Sequence, residues 1–333
     1  MKGKTKTEVG TMSMYLFKKK ITKITLGIFL AGLIAGLCFT ILYPVIQLVP
    51  TIFSDIEDLG NPNIIWLPLN FSAVSFKAAV RFILPDGWMT MVKSILYASS
   101  IIVIQIFFAA MAGYSLARVK FPGSKLVFFL VILVFLVPQQ SLLLSQYIYF
   151  NHFNAFGLLK LFTKAGEINL INKPITLYLF AILGFGVKHS LFIFIFSKFF
   201  LNIPKELEEA AQIDGCGFYR TYFKIMLPNA VPAISTVAVL SFVWNYGDTY
   251  YTNYFNPDGP YLSTILSTTF NSANKDFVVN AVKTWFGLPL ATDFAFDAVK
   301  QAGVLIFLIP LLIIYFIAQK WLVENLENSG LVG

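Results

Sequence analysis

The chain has 333 residues, a length that ordinarily suggests two soluble domains, yet 57% of them are hydrophobic and only 13% charged. Soluble domains carry about 25% charged residues, so with a mean hydropathy of +0.72 the chain reads as a polytopic membrane protein. Two Cys and two His exclude a disulfide scaffold and a self-contained Cys/His metal site, and the net charge of +8 is read as a record of topology rather than as a nucleic-acid surface.

A helix needs roughly 20 residues to cross about 30 Å of hydrocarbon. Six apolar stretches meet that length, at 24–49, 94–117, 126–150, 175–197, 229–252 and 301–319. The expected fold class is therefore all-α, with six transmembrane helices. The chain opens on a tail, 1–23, carrying Lys18, Lys19, Lys20 and Lys23. The apolar run that follows is about twice the length of a signal-peptide core and lacks a clear small-residue cleavage site, so it reads as a retained first span. Segment 50–93 is an outer loop with Pro50, Pro62, Pro68 and Pro85, too many for a continuous helix. Residues 94–322 form a core of five spans containing the loop 203–228. Within the last outer connection, 275–300 places Trp285, Phe286, Phe294 and Phe296 among scattered charges, as an interfacial, re-entrant or bundle-packed segment does. Residues 323–333 are a terminal tail. Cys38 and Cys216 fall at different levels and are not expected to pair.

Basic residues set the orientation. Segments 1–23, 118–125, 198–228 and 320–333 hold 15 Lys and Arg in 76 positions, against nine in 116 for 50–93, 151–174 and 253–300. The denser side is cytoplasmic by the positive-inside rule, which puts both termini of this multi-pass protein in the cytoplasm.

The cytoplasmic loop after the fourth span carries the most information. Pro204 suits a first helical turn. Glu206, Glu208 and Glu209 then sit at the positive end of the helix dipole. Gly215 can take the left-handed conformation that ends a helix, and a second helix from about Gly217 is expected to stop at Pro228. Leu207, Ala210 and Ala211 share one face, with Glu209 roughly opposite. A helix pair of this kind is either a docking element or an ordinary amphipathic surface helix.

Its spacing is more specific. Glu209-Ala210-Ala211, two residues, Asp214-Gly215, nine residues, then Ile225-x-Leu227-Pro228 resembles the EAA signature of ABC importer permeases at every anchor. Tyr114 to Gly123 is similar to the segment that closes an early span in maltose-type sugar permeases, and Pro138-Gln139-Gln140 to the polar break in their next span. Trp244-Asn245-Tyr246-Gly247-Asp248 resembles their W-N-D stretch with a wider gap, and Ser329-Gly330-Leu331-Val332-Gly333 their Gly-rich end without the usual lysine. The resemblance covers about residues 90–333.

It implies a type I permease subunit in a bacterial cell membrane, working with a second related permease, two cytoplasmic ATPase subunits and an extracellular or periplasmic solute-binding protein. It further implies that Glu209, Ala210, Ala211, Asp214, Gly215, Ile225, Leu227 and Pro228 form the ATPase-docking loop. No cofactor is expected on this chain. ATP and Mg belong to the partner ATPases, and no G-x-x-x-x-G-K-[ST] phosphate loop occurs in the sequence.

Polar residues inside spans need a reason, because a charge at bilayer centre costs on the order of 2.5–3.5 kcal/mol. Lys188 and His189 follow Gly184 and Gly186 in the fourth span. They either face a substrate pathway or mark a span boundary with Lys188 snorkelling outward. Gln139, Gln140 and Gln146 either meet a sugar's hydroxyls or tie helices together. Trp244, Asn245 and Asp248 either stack on and bind a sugar or belong to an interfacial aromatic belt. The expected function is the permease of an ATP-driven importer for a sugar or oligosaccharide. A permease for a non-sugar solute is the alternative. An ion-coupled carrier would show repeated halves with matching broken helices, and a membrane enzyme would show clustered acid–base or metal residues.

Overall fold

The computed structural model describes residues 6–62, 66–161, 166–288 and 293–330. Parts of the expected tails (1–5 and 331–333, with the end of the Gly-containing stretch) and of the outer loops (63–65, 162–165 and 289–292) lie outside the described residues, as do the side chains of 6–18, 156 and 320–330. The described chain is helical, with two isolated antiparallel bridges, Ser54 to Phe71 and Phe153 to Ile168, and both cysteines are free thiols. It divides into two units, residues 1–75 and 76–333, with the boundary inside the first turn of the helix Val74–Ile83, which is described with the second unit.

The first unit is built on α1 (Lys6–Phe53). From Lys19 to Phe53 it is long and apolar enough to cross a membrane. Its large apolar side chains, among them Ile28, Phe29, Leu37 and Ile41, are exposed all round the helix, the pattern of a segment whose solvent is lipid. The loop that follows folds back on its end. Phe71 stacks on Phe53 with centroids 5.4 Å apart, and Trp66 meets Phe39 and Tyr43 at 6.2 and 6.1 Å.

The second unit contains α2 (Val74–Ile83), α3 (Trp88–Arg118), α4 (Ser124–Leu136), α5 (Gln139–Asn151), α6 (Pro174–Leu183), α7 (His189–Asn202), α8 (Glu206–Ile213), α9 (Phe218–Thr221), α10 (Leu227–Asn229), α11 (Val231–Tyr246), α12 (Tyr250–Phe255), α13 (Leu262–Thr269), α14 (Lys275–Phe286) and α15 (Asp293–Gly330). Its centre is the pairing of α3 with α7 and α11. Ala109, Ala110 and Tyr114 of α3 pack on Phe192, Phe196 and Phe200 of α7 and on Ala233 and Val237 of α11. Gly113 permits the close crossing, since a Cβ there would lie 2.6 Å from Phe196 Cβ and 2.9 Å from the Ser197 nitrogen. Small residues at such a crossing let backbones approach where lipid gives no hydrophobic driving force.

Three of the six expected spans are single long helices: Lys19–Phe53, Trp88–Arg118 and Asp293–Gln319. The other three are interrupted, and local chemistry explains each break. The stretch 126–150 becomes α4 and α5, bent by 102°. Val137, extended at ψ 125, precedes Pro138, whose ring disfavours helix at the residue before it. The stretch 175–197 becomes α6 and α7. Gly184 at φ 83 ends the first in the left-handed region, and Lys188 at φ 54 leads into the second. The stretch 229–252 ends its helix at Tyr246. There Asp248 turns its carboxylate onto the N–H groups of Tyr250, Tyr251 and Thr252 at 3.0–3.2 Å, capping α12.

The connection 253–300, expected to lie outside, is largely helical among its described residues. The amphipathic α14 buries Val278 and Val282, and Phe82 of α2 packs against Trp285 at 4.7 Å.

Candidate functional sites: a helical loop and a cavity between broken helices

The first site is the loop 203–228. α8 carries Glu206, Glu208 and Glu209 in its first turn. It ends in a Schellman arrangement: the Cys216 N–H reaches Ala211 O at 2.8 Å and the Gly215 N–H reaches Gln212 O at 3.0 Å. Gly215 has φ 77, a conformation costly for residues with a Cβ. The second helix is more elaborate than expected. α9 runs into a π-helical turn, Tyr222–Met226, and then into α10. Pro228 does not stop it. Pro228 lies in the first turn of α10, where its missing N–H is no loss, and the chain bends by 73° only at Ala230, before α11.

The face expected to be shared by Leu207, Ala210 and Ala211 is split. Ala211 is buried at 3% exposure, whereas Leu207, Glu209, Ala210, Asp214, Gly215 and Pro228 are exposed. A helix of eight residues lying on a bundle buries a narrow stripe, and Ala211 falls in it. Leu227 packs against the α3–α7 core, and Ile225 is half-buried. These two anchors hold the loop to the bundle and offer little surface. The exposed surface is nonetheless apolar in part, with Ile213 86% and Tyr219 70% exposed beside Leu207, Phe218 and Phe223.

Sequence reasoning missed the residue that fixes this loop. Glu208 accepts a hydrogen bond from Tyr114 Oη at 2.9 Å and pairs with Arg118 Nη1 at 3.5 Å. Arg118, with a 6% exposed side chain, also donates to Phe200 O at 3.0 and 2.6 Å and to Ile203 O. These carbonyls lie at the C-terminal end of α7, which carries the helix's negative partial charge, and the Phe200 carbonyl also accepts from the Ile203 N–H at 3.4 Å. One cation thus joins α3, α7 and α8. The Tyr114 ring packs on Phe200, Phe218 and Tyr222 at 5.0–5.4 Å, closing the junction. Arg118 and Tyr114 lie within the sequence stretch already singled out at 114–123, but a pairing across 90 residues leaves no local signal.

The second site is a cavity of about 270 Å³ between the breaks at 137–138 and 184–188. It gathers Gln139, Gln140, Gln146, Lys188 and His189, with Ser190 and Tyr251. Lys188 Nζ lies 5.9 Å from the centroid of Phe135, close enough for a cation–π contact. His189 Nδ1 and Gln146 Oε1 are buried and have no hydrogen-bond partner among the described residues. The breaks, not a continuous span, bring these side chains together.

Trp244, Asn245 and Asp248 do not line this cavity. Trp244 stacks on Phe192 at 5.8 Å. Asn245 and Asp248 line a void of about 10 Å³, too small for a solute. Asn245 Nδ2 is committed to Gln105 Oε1 at 2.9 Å and to the carbonyl and hydroxyl of Ser241 at 2.8 and 3.1 Å. Gln105, fully buried and not singled out in the sequence, also accepts from Ser241 Oγ at 2.6 Å. Polar residues at a span end that resembled a sugar platform are here a tie between α3 and α11 and a helix cap. The dyad Gln105–Asn245 joins two helices far apart in sequence, so helical periodicity could not reveal it.

The arrangement has relatives. The arabinooligosaccharides transport system permease protein AraQ of Halalkalibacterium halodurans is 26% identical over 310 residues, spanning 90% of this chain and 94% of that protein. The probable starch degradation products transport system permease protein AmyC of Thermoanaerobacterium thermosulfurigenes is 29% identical over 262 residues, 78% of this chain and 81% of that protein. In fold, the chain is similar to a subunit of a bacterial ABC transporter involved in the import of the acidic polysaccharide alginate, with a TM-score of 0.68 at 18% identity over 90% of this chain and 97% of that one. Residues 105–328, which hold the loop, the cavity and the α3–α7–α11 core, match the family model described as the inner membrane component of binding-protein-dependent transport systems, and the chain belongs to that family.

Proposed function

We propose that this inner-membrane component is one half of the translocation unit of an ATP-driven importer, that its cargo is a sugar or oligosaccharide, and that the loop 203–228 receives force from a cytoplasmic ATPase. The second half is a related permease. Two ATPase subunits bind ATP and Mg and carry out hydrolysis, and an external binding protein delivers the solute. Both termini and the loop are cytoplasmic, while 50–93 and 253–300 lie outside. The basic-residue asymmetry and the relatives named for oligosaccharide transport support this reading.

The observation that carries it is the junction at Glu208. α8 exposes Leu207, Glu209, Ala210 and Ile213 on one side and is tied on the other to α3 and α7 through Glu208, Arg118 and Tyr114. A partner seated on the exposed side, with a basic residue at Glu209, moves α8 and with it the ends of two core helices. α7 begins at the cavity and ends at this junction, so one rigid helix spans from the driven end to the solute end. Broken helices also suit an ion-coupled carrier; membership of a binding-protein-dependent family favours the importer.

Gly215→Val tests the reading. Its Cβ would meet nothing within 4 Å, so the substitution acts through conformation, with a β-branched residue at positive φ costing roughly 1–2 kcal/mol. The variant is expected to insert normally, because hydrogen bonds within the spans are internal to each helix. It is expected to lose co-purifying ATPase subunits and transport. Retention of both at normal levels would show the loop to be a passive connection.

A further inference from the structure

The cavity between the broken helices is electropositive and incompletely satisfied. Among the described residues that line it there is no Asp or Glu, while Lys188 places a cation in it, and no ion pair to Lys188 occurs among the described residues. Lys188, which precedes α7, and the helix's first residues His189 and Ser190 form part of the wall; no side chain caps that helix, and its His189 N–H is held by the Gly186 carbonyl at 3.1 Å. The positive end of a fourteen-residue helix therefore faces the space beside Lys188. His189 is 2% exposed, and its Nδ1 has no hydrogen-bond partner among the described residues; a buried polar atom costs free energy unless it is hydrogen-bonded. The Gln146 side chain bonds Tyr251, while its Oε1 has no hydrogen-bond partner among the described residues and can accept from a hydroxyl or an N–H.

We infer that this cavity recognises an acidic sugar: a carboxylate held by Lys188 and the start of α7, with ring hydroxyls meeting His189, Gln146, Gln139 and Gln140. The inference rests on the importer reading and narrows its substrate class. A neutral sugar would satisfy the amides and leave the half-buried Lys188, which lies over the Phe135 ring, without a counter-charge among the described residues. A carboxylate supplies charge-assisted hydrogen bonds, roughly twice as strong as neutral ones. The cavity's volume of about 270 Å³ suits one or two sugar rings rather than a polymer, so a chain would pass through it ring by ring.

The same carboxylate chemistry is offered by an acidic sugar, and a related anion by a phospholipid headgroup; the test separates them. The assembled importer, with its ATPases and the second permease but without the binding protein, is placed in phosphatidylcholine nanodiscs. Binding of digalacturonate and of its neutral counterpart, galactobiose, is measured by calorimetry. Digalacturonate should bind at least about tenfold more tightly than galactobiose, and Lys188→Gln should remove about that factor, the equivalent of one charge-assisted contact. Lys188→Arg should restore the preference. Lys188 has φ 54, and Gln or Arg meets the same backbone cost there, so the two variants differ in charge rather than in strain. Equal binding of the two sugars, binding of neither, or a preference untouched by Lys188→Gln would overturn the inference. So would phosphatidylglycerol nanodiscs that abolish digalacturonate binding to the wild type, which would assign the anion to lipid. Because ATPase co-purification is scored on the same samples, failure of sugar preference with the ATPases still bound refutes the acidic-sugar site alone, and their absence refutes the importer reading.

Discussion

Two groups of polar side chains lie within the helical core of the second unit, and they differ in how completely they are satisfied. Gln105, Ser241 and Asn245 spend their hydrogen bonds on one another and are buried at 5% exposure or less. Gln139, Gln140, Gln146, Lys188 and His189 surround a cavity and leave a ring nitrogen and an amide oxygen unpaired. A completed network holds helices, because nothing remains for a ligand to supply. An incomplete one around open space leaves donors and acceptors for a ligand to satisfy, which is the role proposed for it here. Residue type does not separate the two groups, since both contain glutamine within apolar helices; the placement of helix breaks does.

Mutations can break this contrast. The largest loss of folding is expected where the core is closest. Gly113→Val would push a branched side chain into Phe196 and Ser197, costing about 3 kcal/mol or more, read as loss of the monodisperse species on size exclusion after mild heating. Gln105→Leu comes next. It takes away the acceptor of the Ser241 hydroxyl and one acceptor of the Asn245 amide, which keeps the Ser241 carbonyl, and a cost of about 2 kcal/mol should appear in unfolding titrations in mixed micelles. Asp248→Ala removes the cap on three N–H groups of α12 and should cost about 1 kcal/mol in the same titration. Gln140→Ala belongs to the cavity group and should change stability by no more than about 0.5 kcal/mol, while lowering solute transport in reconstituted vesicles. A Gln140 variant that unfolds like the Gln105 variant, or a Gln105 variant that is fully stable but transport-dead, would erase the distinction.

Much of this was legible in the sequence. The apolar runs located every long helix because lipid demands length and apolarity together. The glycine that ends α8 was legible because a left-handed residue after an acidic helix start is a local signal, and the structure places Gly215 at φ 77. Breaks were harder. Pro138 and Gly184 were visible, but an apolar run of 25 residues hides whether a proline kinks a span or divides it by 102°. Pro228 shows the opposite failure, expected as a stop and found within a first turn. Long-range pairings were not legible at all: Arg118 reaches Glu208 and the end of α7 only once α3 and α7 have packed. Ala210 and Ala211 are adjacent and alike, yet only the second is buried, which depends on the angle at which α8 lies.

The central claim is that the loop drives the cavity through the junction of Glu208 with Arg118, and the coupling ratio tests it most directly. Solute molecules transported per ATP hydrolysed would be measured for the reconstituted importer carrying Arg118→Gln, normalised to assembled complex. With the charge-assisted contacts gone, α8 still seats its partner but no longer pulls α3 and α7 together. ATP hydrolysis should continue within about twofold while the ratio falls about tenfold, as loss of one such contact at a moving junction allows. An unchanged ratio in a fully assembled complex would contradict the account and place the coupling path elsewhere in the chain.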